Sequence, residues 1–397
     1  MSSNKHFGIE FNLQPNQIYL DSATIGKMPL SSIGIISEYY RKGGGVPVRG
    51  MHTEIFQANK ILEERRRELS EFFKVEPVQV SFFPSREVVL TNAIYSLPDM
   101  RNRRIVTSIL EEHSVIAPAI KMHNDKGTKI DYLNSQDEVD MLDRITEKLK
   151  SKEDILLLSS LTPTNGVKRD WSQIAKICRD IEATFILDIS HDIGHEEIMF
   201  NEIMPDIVIS SGCIGALGPP GTAFQITTEE IYKEMDPLIV GGGSITTLEE
   251  KYYLLNSSGS KFETGILNCA NISAMVNSLN VLSKVGLSKI EQHERKLRSI
   301  LSRGLSDFEV LKINTIDNAE YGPIISFGSE KIEAHDFALI LEDLKKIQVR
   351  SGALCSHLFM YELKFSDIVR ISTHLYNTEE EIKILLETVE TILNQMS

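Results

Sequence analysis

The sequence predicts an α/β fold, with a large αβα domain around a mostly parallel sheet and a smaller C-terminal α+β domain. The middle of the chain alternates short apolar strands with amphipathic helices. Strands that are separated by helices usually pair in parallel and are covered by those helices. In addition, 397 residues suffice for two domains with a substantial buried core.

Three apolar segments predict consecutive strands of the large sheet: residues 154–159, 184–188 and 206–210. A helix is predicted between the first two, over residues 171–182, because its apolar residues recur on one face. Sites in such sheets collect at the carboxyl ends of strands. Asp188 lies at one predicted strand end and Ser211 follows another.

The character of the sequence changes from about Leu282. Helices are predicted over residues 289–305 and 334–345 and strands over 323–327 and 347–350, and a last helix starts at Thr378. There Thr378 and Glu381 have the spacing of a capping box. We therefore divide the chain into an N-terminal arm (1–15), a large domain (16–281) and a small domain (282–397).

Composition excludes several classes of protein. The net charge of −14 argues against nucleic acid or an anionic membrane surface as a partner. The polar first residues predict no secretory signal, and the apolar runs are too short to span a bilayer. Four separated cysteines predict reduced thiols in the cytoplasm, and the scattered histidines predict no metal site.

Seven segments, in order and over nearly the whole chain, resemble motifs of the cysteine desulfurase and selenocysteine lyase branch of class V aminotransferases. The family motifs are YLDNAAT, RGxH, DGAQxxGH, SGHKxLLGPxG, RFExG, VRxGxxC and RxSxxxYNT. The matching segments are residues 18–24, 49–52, 185–195, 211–221, 261–265, 349–355 and 370–378. The resemblance implies a pyridoxal-phosphate (PLP)-dependent transferase fold of type I and a homodimer with its sites at the interface.

The resemblance also implies roles for individual residues. Asp188 matches the aspartate that pairs with the pyridine nitrogen, and His191 replaces a glutamine near the ring hydroxyl. Ser211 matches a phosphate ligand, and His113 lies one place after the position of the histidine that stacks on the ring, which falls on Glu112. Arg370 matches the arginine for the substrate carboxylate, and Cys355 matches the thiol that takes sulfur as a persulfide.

The lysine that holds the cofactor is missing. In the motif SGHK the lysine falls on Ile214 and the histidine on Cys213, and the flanking residues match without a gap. No lysine occurs between Lys176 and Lys233, so a small shift of register restores none. An isoleucine cannot form a Schiff base or move a proton.

The phosphate-binding segment also departs from the family pattern. In the motif TxGTTEAIN, the glycine falls on Arg86 and the threonines fall on Glu87 and Val88. A carboxylate beside a phosphate would be repulsive, although Arg86 could offset it. The threonine that the partner subunit contributes in the family falls on Ile266.

Each retained residue also has a purely structural interpretation. Asp188 could cap a turn, Cys355 could be a small buried apolar residue, and Arg370 could form a structural ion pair. We therefore weigh three functions. The first is a degenerate desulfurase homologue, not PLP-dependent, that acts as a binding, scaffold or sulfur-transfer protein and pairs with an active paralogue or a sulfur-transfer protein.

The second function is an active lyase or desulfurase on cysteine or selenocysteine, with non-covalent PLP or another lysine such as Lys261. The third is a different chemistry that uses Glu87, Glu112 and His113. We favour the first, because three separate segments of the cofactor pocket have changed together.

Overall fold

The computed structural model describes residues 5–134, 138–200 and 202–395. Its helices and strands follow the alternation that the sequence predicts. The helices are α1 (Leu30–Arg41), α2 (Thr53–Phe73), α3 (Arg86–Tyr95), α4 (His113–Lys126), α5 (Met141–Lys148), α6 (Trp171–Ile181), α7 (Glu229–Glu234), α8 (Cys269–Val285), α9 (Leu287–Ser306), α10 (Ala334–Lys345), α11 (His357–Leu363) and α12 (Glu379–Gln395).

The strands form one large sheet, one four-stranded sheet and several two-stranded pairs. They are β1 (Lys5–His6), β2 (Ile9–Glu10), β3 (Ile18–Tyr19), β4 (Val80–Phe83), β5 (Arg104–Ser108), β6 (Lys129–Leu133), β7 (Asp154–Ser159), β8 (Val167–Lys168), β9 (Thr184–Asp188), β10 (Ile207–Ser211), β11 (Ala223–Thr227), β12 (Ile245–Leu248), β13 (Tyr253–Leu255), β14 (Leu311–Ile313), β15 (Glu320–Tyr321), β16 (Ile324–Ser329), β17 (Ile347–Gln348), β18 (Arg350–Gly352) and β19 (Ile368–Ser372).

The large sheet has seven strands in the order β4-β11-β10-β9-β7-β5-β6. All neighbours are parallel except β11, which is antiparallel to both β4 and β10. Every residue of β7, β9 and β10 is buried, as expected for a parallel sheet covered on both faces. The predicted α/β architecture is confirmed.

The three predicted strands and the helix between the first two are present, with boundaries that differ by one residue at most. Helix α6 begins where the Asp170 side chain accepts a hydrogen bond from the backbone N–H of Gln173, at 3.1 Å. An aspartate at this position satisfies one of the free amides of the first turn. The apolar face of α6 then packs into the main core.

The second sheet is antiparallel, in the order β14-β16-β19-β18. Its core includes residues from α9, α10 and α12. The predicted capping box is present: Thr378 N–H donates to Glu381 Oε2 at 2.9 Å, and Glu381 N–H donates to Thr378 Oγ1 at 3.2 Å. These contacts fix the start of α12.

The prediction of one strand over residues 347–350 is wrong. The segment divides into β17, which pairs in parallel with β3, and β18, which pairs with β19. Ile18 and Leu20 accordingly pack in the core of the second sheet. The apolar alternation is the same for one strand or two, so it could not reveal the change of partner.

No helix within the described ranges is long and apolar enough to cross a membrane. The division into an arm, a large domain and a small domain stays a prediction.

Candidate functional site

A cavity of about 340 Å³ lies where the carboxyl ends of β4, β9 and β10 approach β18 and β19. Two helices, α3 and α4, start at its wall. The residues that line it are Ala23, Thr24, Ser85, Arg86, Glu87, Glu112, Ser114, His191, Ser211, Cys213, Ile214, Pro220, Gly221, Thr222, Arg350, Leu354, Cys355 and Arg370. The chain thus gathers most of the predicted site residues in one place.

Arg86 closes one end of the cavity. Its Nε donates to Asp188 Oδ2 at 2.5 Å, and its Nη1 donates to Glu112 Oε1. The Arg86 and Asp188 side chains are 4% and 0% exposed, so each charge depends on the other for compensation. Asp188 also accepts from Ser190 N–H at 2.8 Å. The carboxylate predicted to pair with a pyridine nitrogen therefore already has a cationic partner.

Ile214 lines the cavity and is 9% exposed. The loop that carries it is held from behind by Gly26, whose N–H donates to Cys213 O at 2.9 Å. A Cβ on Gly26 would lie 2.5 Å from Ile214 O, so only glycine permits this approach. The position of the missing lysine is therefore part of the cavity wall, and a hydrocarbon side chain fills it.

The second sheet contributes two arginines that face each other across β18 and β19, where Arg350 is the register partner of Arg370. Arg370 is 3% exposed, and donates to Pro163 O at 2.9 Å, Thr24 Oγ1 at 2.8 Å and Asp21 Oδ1 at 3.2 Å. Burial lowers the pKa of Arg370, although the charge of Asp21 opposes this effect.

Arg350 donates to Thr24 Oγ1 at 3.1 Å and lies with Nη2 3.9 Å from Cys355 Sγ. Cys355 is half-buried. It and Leu354 both adopt left-handed backbone conformations, at φ 57° and 51°, which cost free energy in residues other than glycine. His113 N–H donates to Cys355 O at 2.8 Å and so helps to hold this turn.

Of the remaining predicted cofactor residues, His191 and Ser211 line the cavity and His113 does not. His191 lines the cavity, and its Nε2 contacts Ala23 O at 3.2 Å. Burial lowers the pKa of His191 well below its usual value, and the charges of two nearby arginines add to this effect. The ring is therefore neutral, Nε2 carries the proton, and Nδ1 is an acceptor.

Ser211 lines the cavity, but its hydroxyl accepts from Cys213 N–H at 3.3 Å. The His113 ring instead stacks on His357, with ring centroids 4.8 Å apart. Its neighbours Glu112 and Ser114 line the cavity in its place. The structure thus brings Asp188, His191, Ser211, Ile214, Cys355 and Arg370 to one site, with His113 beside it.

Lys261 does not line the cavity. Its Nζ donates to the backbone carbonyls of Tyr232 and Met235, the latter at 3.0 Å. It also lies 3.8 Å from the centroid of the Tyr232 ring. Burial lowers its pKa to about 8. No lysine is among the described residues that line the cavity, so Lys261 is not placed to replace the missing amine.

A second buried polar cluster was missed by the sequence reasoning. His195 Nδ1 lies 2.8 Å from Glu294 Oε2, and His374 Nδ1 lies 3.3 Å from Glu294 Oε1. Burial raises the pKa of Glu294 to about 8 and lowers that of each histidine to about 3. The three groups are therefore neutral together, with the Glu294 proton shared towards a histidine.

Hydrogen bonds engage both ring nitrogens of His374. Nδ1 accepts from Leu375 N–H at 2.8 Å, and Nε2 donates to Gly215 O at 3.1 Å. The cluster thus links α9 to the loop after β19 and to the loop that carries Ile214. Nothing in the spacing of residues 195, 294 and 374 could have connected them, since they lie about 100 and 80 positions apart.

The architecture is that of PLP-dependent transferases of fold type I. The model of the family described as "Aminotransferase class-V" matches residues 18–385. The chain belongs to this family.

Proteins described as probable cysteine desulfurases are among its relatives. That of Methanothermobacter thermautotrophicus is 28% identical over 384 residues, covering 95% of each chain. That of Pyrococcus abyssi is 27% identical, covering 96% of this chain and 95% of the relative. The apo structure of the cysteine desulfurase from Thermococcus onnurineus superposes with a TM-score of 0.90 at 27% identity, over 96% of this chain and 95% of the other.

PLP is the cofactor of this family, and the residues present here do not fit its covalent attachment. Ile214 offers no amine. Asp188 is ion-paired with Arg86, and Arg86 rather than Asp188 lines the cavity. Glu87 also adds a carboxylate at the start of α3, where the family pattern has small neutral residues.

Proposed function

We propose that this chain is a catalytically degenerate homologue of the cysteine desulfurases, not dependent on PLP, which acts in the cytoplasm as a binding or sulfur-transfer partner protein. The observation that carries the proposal is the ion pair of Arg86 with Asp188. It replaces the interaction that the cofactor would make, and Ile214 removes the covalent one. Four free cysteines are consistent with a reducing compartment.

The test is the absorption spectrum of the purified chain before and after addition of PLP, followed by borohydride reduction and peptide mapping. We expect no retained cofactor and no modified lysine. A lysine fixed to the cofactor by borohydride would overturn the proposal, and desulfurase activity would become the leading interpretation.

The sulfur-transfer role rests on Cys355, which is half-buried and lines the cavity beside Arg350. Its thiolate would attack the outer sulfur of a persulfide on a partner protein. The sulfur–sulfur bond of the donor breaks, the donor leaves as a thiolate, and Cys355 keeps the transferred sulfur as a persulfide. The electrons balance without an added oxidant or reductant.

Incubation with a persulfidated desulfurase tests this step. We expect intact-protein mass spectrometry to show the gain of one sulfur atom, and peptide mapping to assign it to Cys355. The Cys355→Ala variant should lose the gain, and Cys213→Ala, which removes the other thiol of the cavity, should keep it. Equal transfer to both variants would contradict the role of Cys355.

The competing function is an active desulfurase, and the retention of Cys355 and Arg370 in one cavity favours it. Release of alanine and sulfide from cysteine, with PLP present, measures it. We expect no release above that of a protein-free control.

We further propose a homodimer. Several large apolar side chains are exposed on segments that hydrogen bonds tie together: Arg49 donates to Ile245 O at 2.7 Å, and Thr264 Oγ1 donates to Ile239 O at 2.9 Å. An exposed apolar surface of this kind is typical of a protein interface. The side chains are Met51, Phe56, Leu238, Ile239, Leu248, Tyr252, Tyr253, Leu254 and Ile266.

Sedimentation equilibrium measures the mass in solution. We expect a dimer for the natural chain and a monomer for Leu248→Arg. A monomeric natural chain would contradict the proposal.

A further inference from the structure

The cluster of His195, Glu294 and His374 places three metal-ligating atoms together, outside the cavity of the candidate site. Nδ1 or Nε2 of each histidine and a Glu294 carboxylate oxygen lie within 4.8 Å of one another. His195 Nδ1 is 2.8 Å from Glu294 Oε2, and His374 Nδ1 is 3.3 Å from Glu294 Oε1. In a tetrahedral zinc site with bonds of about 2.0–2.2 Å, ligand atoms are about 3.3 Å apart. Small side-chain shifts therefore let the three groups share one ion.

The hydrogen bonds of His374 leave its Nδ1 as a lone-pair donor. Its Nε2 donates to Gly215 O at 3.1 Å, so Nε2 carries the ring proton and Nδ1 is unprotonated. A metal-bound histidine usually donates its other ring nitrogen to a carboxylate or a backbone carbonyl in this way. Leu375 N–H contacts Nδ1 at 2.8 Å from the adjoining residue, and an ion on Nδ1 would displace this contact.

Glu294 has one oxygen that the cluster leaves without a partner. Its side chain is 3% exposed, and Oε1 forms no hydrogen bond with the described residues. Oε1 therefore lies opposite the lone pair of His374 Nδ1, at 3.3 Å, without a hydrogen bond between the two atoms. Two buried acceptors in this arrangement repel each other, and a cation between them is attracted to both.

A small cavity of about 30 Å³ adjoins the cluster and is lined by both His195 and Glu294. Its volume exceeds the roughly 10–15 Å³ that one buried water molecule requires. Zinc sites with three protein ligands take a water in the fourth position. The cavity therefore supplies room for a fourth ligand and a route by which an ion enters.

The charges around this small cavity favour a cation. Lys168 is ion-paired with Glu196, and Arg295 with Glu291 at 2.8 Å. Both cations that line the cavity are thus compensated.

Two further carboxyl groups line the same cavity, those of Asp192 and Glu294, and both residues are 3% exposed. Burial of two acidic groups beside two compensated ion pairs leaves no excess of positive charge to repel a metal ion.

We propose that His195, Glu294 and His374 bind one divalent transition-metal ion of the zinc class, with a water as the fourth ligand. Two imidazoles and one carboxylate suit Zn²⁺ better than Mg²⁺ or Ca²⁺, which prefer oxygen ligands alone. The ion takes the place of the Glu294 proton, which leaves to solvent. The protonated carboxyl group described above therefore belongs to the chain freed of metal ions.

The proposal departs from the expectation of no metal site that the scattered histidines gave. Bound there, the ion would join α9 to the loops that follow β9 and β19. Through Gly215 O it would also support the loop that carries Ile214. It is independent of the proposed function, because it uses no residue of the cofactor pocket.

Zn²⁺ is the probe, added to the full chain after removal of metal ions with EDTA. Isothermal titration calorimetry should show saturable binding of one ion. Thermal unfolding should shift to higher temperature, since an ion that binds only the folded chain stabilises it. No saturable binding at micromolar Zn²⁺ would overturn the inference.

Glu294→Gln is the informative variant, because it keeps the size of the side chain and removes its charge. It should weaken Zn²⁺ binding at least about 100-fold, since loss of an outer partner of a metal ligand already costs about 10–100-fold. Glu291→Gln, on the same helix and the same cavity, should bind Zn²⁺ as the natural chain does. Equal binding by Glu294→Gln and the natural chain would contradict the assignment.

A second measurement uses the natural chain and does not depend on the folding of a variant. Co²⁺ in the Zn²⁺ site should give visible absorption bands without the near-ultraviolet band of a cobalt–thiolate bond. Such a band would place the ion on a cysteine, such as Cys213 or Cys355, and overturn the inference. His357→Gln, which removes half of the exposed pair with His113, should leave the spectrum unchanged, and a lost spectrum would place the ion there instead.

Discussion

Two buried polar clusters of the chain solve the same physical problem differently. At the cavity, Arg86, Asp188 and Glu112 remain charged and compensate one another. Around Glu294, burial removes the charges, so that a protonated carboxyl group lies between two neutral histidines. Both arrangements avoid an isolated buried charge, which would cost several kcal/mol.

The two clusters also differ in the kind of polar atom that each leaves without a partner. In the neutral cluster Glu294 Oε2 shares a hydrogen bond with His195 Nδ1 and backbone groups engage both ring nitrogens of His374, while Glu294 Oε1 has no hydrogen-bond partner among the described residues. In the charged cluster Arg86 has more donors than its two carboxylate partners use, and its Nη2 has no hydrogen-bond partner within the described ranges.

The largest effect is expected from substitutions that return the charged cluster to the family pattern. Ile214→Lys alone should not retain PLP, because Arg86 still covers Asp188. The double variant Ile214→Lys/Arg86→Gly should retain it, since the Gly26 contact keeps the backbone of the loop in place. Borohydride reduction and peptide mapping measure the adduct on the introduced lysine. Equal retention by both variants would show that Arg86 is no barrier.

Breaking one charge pair should have the next largest effect. Arg86→Met leaves the Asp188 carboxylate buried without its cation, and should lower the free energy of unfolding by about 3–5 kcal/mol. Arg86→Met/Asp188→Asn removes both charges and should recover most of that loss. Urea unfolding measures all three proteins. A double variant no more stable than the single one would refute compensation as the role of this pair.

The neutral cluster should make the free energy of unfolding depend on pH. The folded chain raises the pKa of Glu294 to about 8, so the folded state holds this proton more tightly than the unfolded state does. Its stabilising contribution is complete below the unfolded pKa of about 4.5 and is lost as pH rises through about 8. The Glu294→Gln variant lacks this titration.

Between about pH 6.5 and about pH 8, the natural chain should lose on the order of 2 kcal/mol of unfolding free energy relative to Glu294→Gln. Urea titrations at each pH measure the difference. Glu291→Gln, a half-exposed carboxylate on the same helix, should show no such change. A pH-independent difference for Glu294→Gln would mean that this group is ionised in the fold.

The smallest effect is expected outside both clusters, at the start of α12, and serves as a reference for the variants of the two clusters. Thr378→Ala removes the side-chain half of the cap on α12 and should cost about 1 kcal/mol of unfolding free energy. Chemical denaturation measures it, and the size should not vary between about pH 6.5 and about pH 8. A pH-dependent loss would show that the capping contact is coupled to a titrating group.

Periodicity and motif order predicted much of the fold, because strands buried on both faces and capped amphipathic helices leave local patterns, as in β7, α6 and the start of α12. The loss of the lysine at Ile214 was equally readable, since a fixed motif surrounds it. The ion-pair partner of Arg86 could not be predicted. A substitution at a glycine position does not indicate which carboxylate, more than 100 positions away, the new side chain contacts.

The same limit applies to Arg350 and to Glu294. Their neighbours come from strand pairing and helix packing between distant segments, and the local sequence around each reads only as a charged residue in an amphipathic stretch. Long-range register decides whether such a residue is solvated or enclosed.

The parallel pairing of β3 with β17 has a consequence for how the chain is made. Gln17 and Gln348 contact each other across 331 positions, and Ile18 and Leu20 belong to the core of the second sheet. On the ribosome, Ile18 and Leu20 emerge long before residues 347–348 are synthesised, and chain closure over such a distance is slow. This segment is therefore among the last to reach its native place, and until then its apolar residues remain exposed to solvent.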